Sequence, residues 1–523
     1  MLAEEKYIRE VDINHRKKFA QFFTPLPIAK FMVDWIFKDN NIRTLLEPAF
    51  GLGVFSRLAL EKNKNIKIKG FDVDETIYSK ASNNFQNNHV DLYLEDYLYN
   101  DWNNKYDAII CNPPYLKFHD YKNLETLKEI KKKLNIDLSG FTNIYTLFLL
   151  KSIYQLKQNG KIAYIIPSEF LNSNYGEKIK KYLLESQLLK EIIIFDFKEN
   201  IFDNAMTTSA ILFLEKTQNN TLNFINIDNI FQLNNFDNIK KKTYHYADID
   251  YNIKWKKYYQ KQNSLKYKNL IPFNLIAKVK RGIATGANKY FIFNIEKAKK
   301  FNIDIKYLLP CITASKDITS SVFTINDFNT LKNNNKNIFL FNGVNQNNKY
   351  IKEYILYGEQ QNIHKKYLTS KRTPWYKLEN RPPAPILVGV FNRTGLKFIR
   401  NEASITTLTT FHCIYLKDNL CQNIDIDLLF AYLLTDTAKE IFDDEAREYG
   451  NGLKKFEPND LNNAKILNIF NLDISIKKKI LNLYSQYRNE VINNKIENKE
   501  LLDEINTILQ NEFRAQQNLV LNR

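Results

Sequence analysis

The sequence predicts an α/β protein built on a doubly wound, mostly parallel sheet within its first 216 residues. Two observations carry that prediction. Short apolar strand candidates alternate with helical patterns across short connections. The chemistry-bearing residues fall just after those strands, where open parallel sheets bind ligands. A third observation limits the sheet: the alternation stops after Lys216, and a region of mixed α+β character follows.

The elements follow in chain order. Residues 27–38 read as a helix. Seven strand candidates lie at 43–46, 66–71, 90–94, 106–111, 161–166, 191–195 and 209–214, with helical patterns at 54–62, 75–85, 143–157 and 176–185. Residues 1–216 are thus expected as one domain. Residues 217–265, rich in Asn, Asp and Lys, are expected as a connector. Short strand-like runs and turns over 266–470 suggest a second domain. In the C-terminal segment 471–523, apolar residues at helical spacing such as Ile480, Leu481, Leu483 and Tyr484 predict one or two helices.

Composition narrows the function classes. The chain has 523 residues, 44% of them hydrophobic, enough for several cores. No apolar run reaches the roughly 18 residues of a membrane span, and the charged N-terminus has no secretory core. A soluble cytoplasmic protein, with no membrane partner, is expected. Cys111, Cys311, Cys413 and Cys421 form no Cys-x-x-Cys pair, so neither a metal site nor a disulfide framework is expected. The net charge is +17, unevenly placed. Residues 1–216 hold 30 Lys+Arg against 28 Asp+Glu; residues 217–523 hold 45 against 30. A nearly neutral half beside a basic one points to a polyanion on the second half.

The motifs sit at strand ends. Glu47-Pro48-Ala49-Phe50-Gly51-Leu52-Gly53 joins the first strand to a helix, and its glycines permit a tight turn against a ligand. Asp72 ends the second strand, 19 residues after Gly53, where nucleoside-binding sheets carry the acid that takes ribose hydroxyls. Asp74 suits a helix cap instead. Glu95-Asp96-Tyr97 ends the third strand with a carboxylate beside an aromatic ring. Cys111-Asn112-Pro113-Pro114-Tyr115 ends the fourth. Its prolines stiffen the turn and remove two N–H donors. The Asn112 side-chain oxygen and the Pro113 carbonyl then offer two acceptors to a planar NH2 group, and Tyr115 offers a ring face for stacking.

These motifs, preceded by Phe22-Phe23-Thr24-Pro25, resemble those of the N6-adenine DNA methyltransferases of the gamma, TaqI-like group, in that group's order. The likeness covers residues 19–216. It also takes in Asn143-Ile144-Tyr145, Ile166-Pro167 and Asn200-Ile201-Phe202. Phe50 and Leu52 depart from the commoner small or polar residues of the glycine loop. The resemblance implies a seven-stranded methyltransferase sheet, a DNA-recognition domain after it, and S-adenosyl-L-methionine as cofactor. Thr24, Glu47, Ala49, Gly51, Gly53, Asp72, Asp96 and Tyr97 would bind that cofactor. Asn112, Pro113, Pro114 and Tyr115 would form the catalytic turn, with Phe202 as second wall around a flipped adenine. In the basic half, Lys280, Arg281, Thr285 and Asn288, with Lys454 and Lys455, resemble target-recognition stretches and are expected at the DNA. Lys117–Lys133, with six lysines, is either a loop over DNA or a solvated helix face. The expected partners are double-stranded DNA and, in a restriction–modification system, a separate restriction endonuclease. A solitary methylase is the other setting, and no nuclease domain is expected in this chain. The same tetrapeptide also serves enzymes acting on RNA amines or on protein glutamine.

Overall fold

The computed structural model describes residues 3–515, apart from 40–41, 86–88, 117–123, 139, 141, 196–207, 344–346, 394, 418–424 and 450–452. The chain folds as two compact units that divide at Lys261 and Gln262.

The first unit opens with helices α1 (Ala3–Glu10), α2 (Ile13–Lys18) and α3 (Leu26–Ile36), then alternates strands and helices. These are β1 (Thr44–Glu47), α4 (Val54–Lys62), β2 (Lys67–Asp72), α5 (Glu75–Asn84), β3 (Val90–Leu94), β4 (Tyr106–Cys111), α6 (Leu124–Leu134), α7 (Ile144–Tyr154), β5 (Leu156–Pro167), α8 (Glu177–Ser186), β6 (Leu189–Phe195) and β7 (Ser209–Glu215). The sheet order is β3-β2-β1-β4-β5-β7-β6, continued by β8 (Thr221–Ile227) and β9 (Lys241–His245). β1 pairs in parallel with both β2 and β4, so the winding reverses between β1 and β4. A ligand crevice opens at such a point, beyond the carboxyl ends of the strands. β7 runs antiparallel to β5 and β6.

Period-2 alternation explains why both faces are covered. Leu46, Ile109, Ile162, Tyr164 and Ile166 point into one core with α7 and α8. Their neighbours Leu45, Ala108, Ile110, Ala163 and Ile165 point into the other, with α3 and α4. Helix α7 is apolar all round and buried accordingly, Lys151 included.

Two domain boundaries differ from expectation. Residues 217–265 are not a connector, because β8 and β9 extend the same sheet to nine strands. The terminal helices, Ile474–Asn494 and Lys499–Phe513, are not a separate segment. Their apolar faces share one core with Val279, Ile386 and Ile414 of the second unit's five-stranded sheet. That sheet is mixed, in the order Ala277–Arg281, Phe411–Leu416, Ile386–Gly389, Phe398–Asn401, Val322–Phe323. Four shorter strands form a second sheet against a second core. Among the described residues no helix is long and apolar enough to cross a membrane.

Candidate active site

β1 delivers the chain to Glu47, and the turn to α4 needs two left-handed residues, Gly51 at φ +55° and Gly53 at φ +72°. The rings explain the rest of the turn. A Cβ on Gly53 would lie 2.5 Å from the Phe50 ring, and one on Gly70 would lie 2.3 Å from it. Phe50 therefore fills space that two glycines vacate, and it packs edge-on against Phe85. Leu52 packs with Tyr7 and Ile77, which ties α1 to the loop. Both residues that depart from the commoner loop pattern are core contacts.

A cleft of about 770 Å3, counting its mouth, opens over this turn. The ends of β1 to β4 and residues 19–24 line it. Glu47 is buried, and its carboxylate accepts from the Ser56 N–H (3.1 Å) and hydroxyl (2.5 Å). Burial pushes its pKa up to about 8 against those hydrogen bonds. Asp72 accepts from the Gly51 N–H (3.0 Å) and the Asp74 N–H (3.0 Å), and burial raises it to about 6. Glu4 reaches the cleft from α1, held by Arg57 at 2.5 Å. A buried Glu47 and a half-buried Asp72, with no basic side chain among the described residues hydrogen-bonded to either, suit a ligand that brings an ammonium and hydroxyls.

The Asn112–Tyr115 turn abuts this cleft, since Asn112 and Pro114 also line it. The Asn112 amide nitrogen donates to the Phe22 carbonyl (2.7 Å) and to the Thr24 hydroxyl oxygen (3.0 Å). A carbonyl only accepts, so this contact fixes which way the amide faces. The Asn112 Oδ1 is then left buried with no hydrogen-bond partner among the described residues. A buried orphan acceptor costs about 1–3 kcal/mol, and a bound donor would recover it. Pro113 is buried within the turn. The Tyr115 ring stacks on Phe22 at 5.7 Å, meets Tyr145 edge-on at 6.3 Å, and its hydroxyl donates to the Ile165 carbonyl (3.3 Å). Burial holds that phenol well above its usual range.

Thr24, Glu47, Ala49, Gly51, Asp72, Tyr97, Asn112 and Pro114 thus gather at one cleft. Gly53 and Asp96 are not among the residues that line it. Gly53 faces Phe50 and Phe85 behind the loop. The Asp96 Oδ1 accepts from the Leu98 N–H (2.9 Å), while its neighbours Glu95 and Tyr97 line the cleft. Behind them the buried Lys151 donates to the carbonyls of Tyr97 and Asn100, with its pKa brought down to about 7 by burial. Phe202 lies outside the described residues. Gln21 and Glu4 went unnoticed in the sequence, where no motif marks them; Glu95 was seen only as the neighbour of Asp96.

The six residues expected at DNA in the second unit are mostly engaged locally. Thr285 is buried, and its hydroxyl bonds Asn288 (2.5 Å) and the Ala287 N–H (3.1 Å). Lys454 pairs with Asp443 at 2.5 Å, while Arg281 and Lys455 share Glu457 at 3.1 and 2.6 Å. The Lys280 ammonium lies 5.8 Å from the Tyr415 ring centre.

Residues 3–281 match the family model N-6 DNA Methylase. The chain is also 54% identical over 521 residues to the Type II methyltransferase M.AccI of Acinetobacter calcoaceticus, covering 98% of this chain and 96% of that one. The chain belongs to the N-6 DNA methylase family. It is an adenine-specific DNA methyltransferase, of the S-adenosylmethionine-dependent class. Residues 252–509 of this methylase match the C-terminal domain of Type II methyltransferase M.Eco57I. M.XamI of Xanthomonas campestris pv. amaranthicola is 22% identical over 88% of the chain and 87% of its own length. Among solved structures, a nuclease-deletion mutant of the Type ISP restriction–modification enzyme LlaGI, in complex with a DNA substrate mimic, shares the fold at TM-score 0.55 and 13% identity. The match covers 93% of this methylase but only 56% of that chain.

Proposed function

We propose that this methylase modifies the N6 amine of an adenine turned out of duplex DNA, with S-adenosylmethionine held in the cleft over β1 to β4. The observation that carries the reading is the orphaned, buried Asn112 Oδ1 at the edge of that cleft. When bound, the cofactor supplies an electrophilic methyl group on a sulfonium. Glu47 takes the ammonium of its methionine moiety, and Asp72 takes ribose hydroxyls. The Asn112 Oδ1 accepts one hydrogen of the target amine, and the Pro113 carbonyl accepts the other. An aryl amine is a poor nucleophile because its lone pair is delocalised into the ring. Holding both hydrogens favours the pyramidal form and aims the lone pair at the cleft. Tyr115 offers the ring a stacking face in place of its lost neighbours. Catalysis is then positioning more than acid–base chemistry. The order of motifs along the chain, with Phe22-Phe23-Thr24-Pro25 ahead of the glycine loop, supports the gamma group.

The experiment is transfer of a labelled methyl group to unmethylated DNA, followed by hydrolysis and identification of the base. N6-methyladenine is expected. Label found in cytosine, or only in RNA or protein, would overturn the reading.

A further inference from the structure

The second unit carries two adjoining hollows that share Asn288, Val390, Phe391 and Thr409 in their walls. Among the described residues, seven Lys and Arg line the pair against a single acid, Glu457. Arg281 and Lys455 are neutralised by that acid. Lys289, Lys316, Lys366 and Arg393 carry no ion pair among the described residues. The surface is therefore cationic through residues other than those the sequence points to.

Phe391 stands on the shared wall with 59% of its surface exposed. A lone exposed aromatic is ordinary. This one is held outward by a built turn. Its neighbour Asn392 is buried, donates to the Gly389 carbonyl (3.0 Å) and accepts from the Lys397 N–H (3.2 Å). The short strand Phe391–Asn392 pairs with Leu453–Lys455, and the Lys455 ammonium lies 5.5 Å from the Phe391 ring centre. The fold thus fixes an apolar ring in water, between cations. Cations on a polyanion position it without reading it; an apolar ring cannot hold a phosphate and needs a base face or a thymine methyl.

We propose that Phe391 is a specificity-determining contact of this methylase. Its ring packs against base edges of duplex DNA, while Lys316 and Arg393 on one side and Lys289 and Lys366 on the other hold phosphates. The inference rests on the reading of duplex DNA as substrate.

The test uses the full-length protein. Methylated adenines in unmethylated phage DNA treated with the wild type are mapped by sequencing. Labelled duplexes with and without the mapped site are then titrated by anisotropy. Phe391→Ala is expected to weaken the site-bearing duplex at least about fivefold, the scale of losing one base contact in a specific site. The unrelated duplex should be little changed, so discrimination falls. Lys316→Ala and Arg393→Ala should weaken both duplexes alike and flatten the salt dependence by about one unit of slope each. Because the ring is exposed, the melting temperature of Phe391→Ala should match the wild type, which separates a contact from a folding defect. Unchanged discrimination in a folded Phe391→Ala protein overturns the proposal. No modified adenine with wild-type enzyme would instead overturn the reading beneath it.

Discussion

Asp72 and Asp74 stand two residues apart at the end of β2, yet they belong to two differently built regions. Asp72 faces the cleft with backbone N–H groups as its donors, those of Gly51 and Asp74 at 3.0 Å among them, and burial raises it to about 6. Asp74 faces the N-terminal helices. It caps α5 through the Thr76 N–H and takes side-chain donors from Gln21 (2.6 Å) and His15 (2.8 Å). Burial opposes its ionisation, but those donors hold it below the usual carboxylate range. The difference teaches how to tell a binding acid from a structural one. A group the fold has already satisfied stabilises the fold, and a group left short of donors is kept for a ligand. Glu47 and the Asn112 Oδ1 fall on the side of Asp72.

The largest effect that comparison predicts is at Asn112. Asn112→Ala removes the orphan acceptor, so methyl transfer should fall by more than about 100-fold, the scale of losing one group that acts at the reacting centre. Duplex binding by anisotropy should survive. Wild-type turnover in this variant would show that the orphan has no catalytic meaning. Next comes Asp72→Ala, expected to weaken S-adenosylmethionine binding by about 1.5–3 kcal/mol, the worth of charge-assisted hydrogen bonds. Unchanged affinity by calorimetry would put Asp72 with Asp74 as a structural acid.

A third prediction concerns protons. The folded pKa values of Glu47 and Asp72 lie above the ordinary 4.5 and 3.8. Their contribution to folding stability is therefore full below those ordinary values and is lost as pH rises through about 8 for Glu47 and about 6 for Asp72. Cofactor groups that pair with the ionised acids reverse this. Binding should release protons and tighten from pH 6 to pH 8, by at most about tenfold per unit for each proton. Calorimetry in two buffers of different ionisation enthalpy counts the protons. A flat affinity over that range would remove the ammonium from Glu47.

The sheet could be read in the sequence wherever both faces are buried, because runs such as Leu45-Leu46 and Ile162–Ile166 are continuously apolar. β8 and β9 could not. β8 carries Asn223 and Asn226, and β9 is an edge strand whose Lys241, Lys242 and Thr243 keep it from pairing further. Such a strand has the composition of a connector. In the cleft, side-chain motifs were visible and backbone partners were not: nothing in Phe22 announces that its carbonyl will orient Asn112. Of the adjacent acids Glu95 and Asp96, only the local turn decides which one faces the cleft. The partners of the second half's cations were hidden for a similar reason, since that of Lys454 is Asp443, eleven residues before it on another element.

The smallest effect on catalysis, and the sharpest check of the opening contrast, is expected at Asp74. Asp74→Ala removes a helix cap worth about 0.5–2 kcal/mol, and it strands the donors of Gln21 and His15. Stability should fall by at least that much in urea, while cofactor affinity changes far less than in Asp72→Ala. The pH dependence has a definite sign. A carboxyl held below 3.8 contributes stability that is present above that value and is lost as pH falls through its lower folded value. The gap in stability between wild type and Asp74→Ala should therefore be wide at pH 7 and should narrow in acid. The two acids then separate cleanly, one read out in binding and the other in unfolding. If Asp74→Ala instead abolished cofactor binding with stability intact, the N-terminal helices would be part of the binding site in their own right, and hydrogen-bond satisfaction would not sort the acids of this cleft.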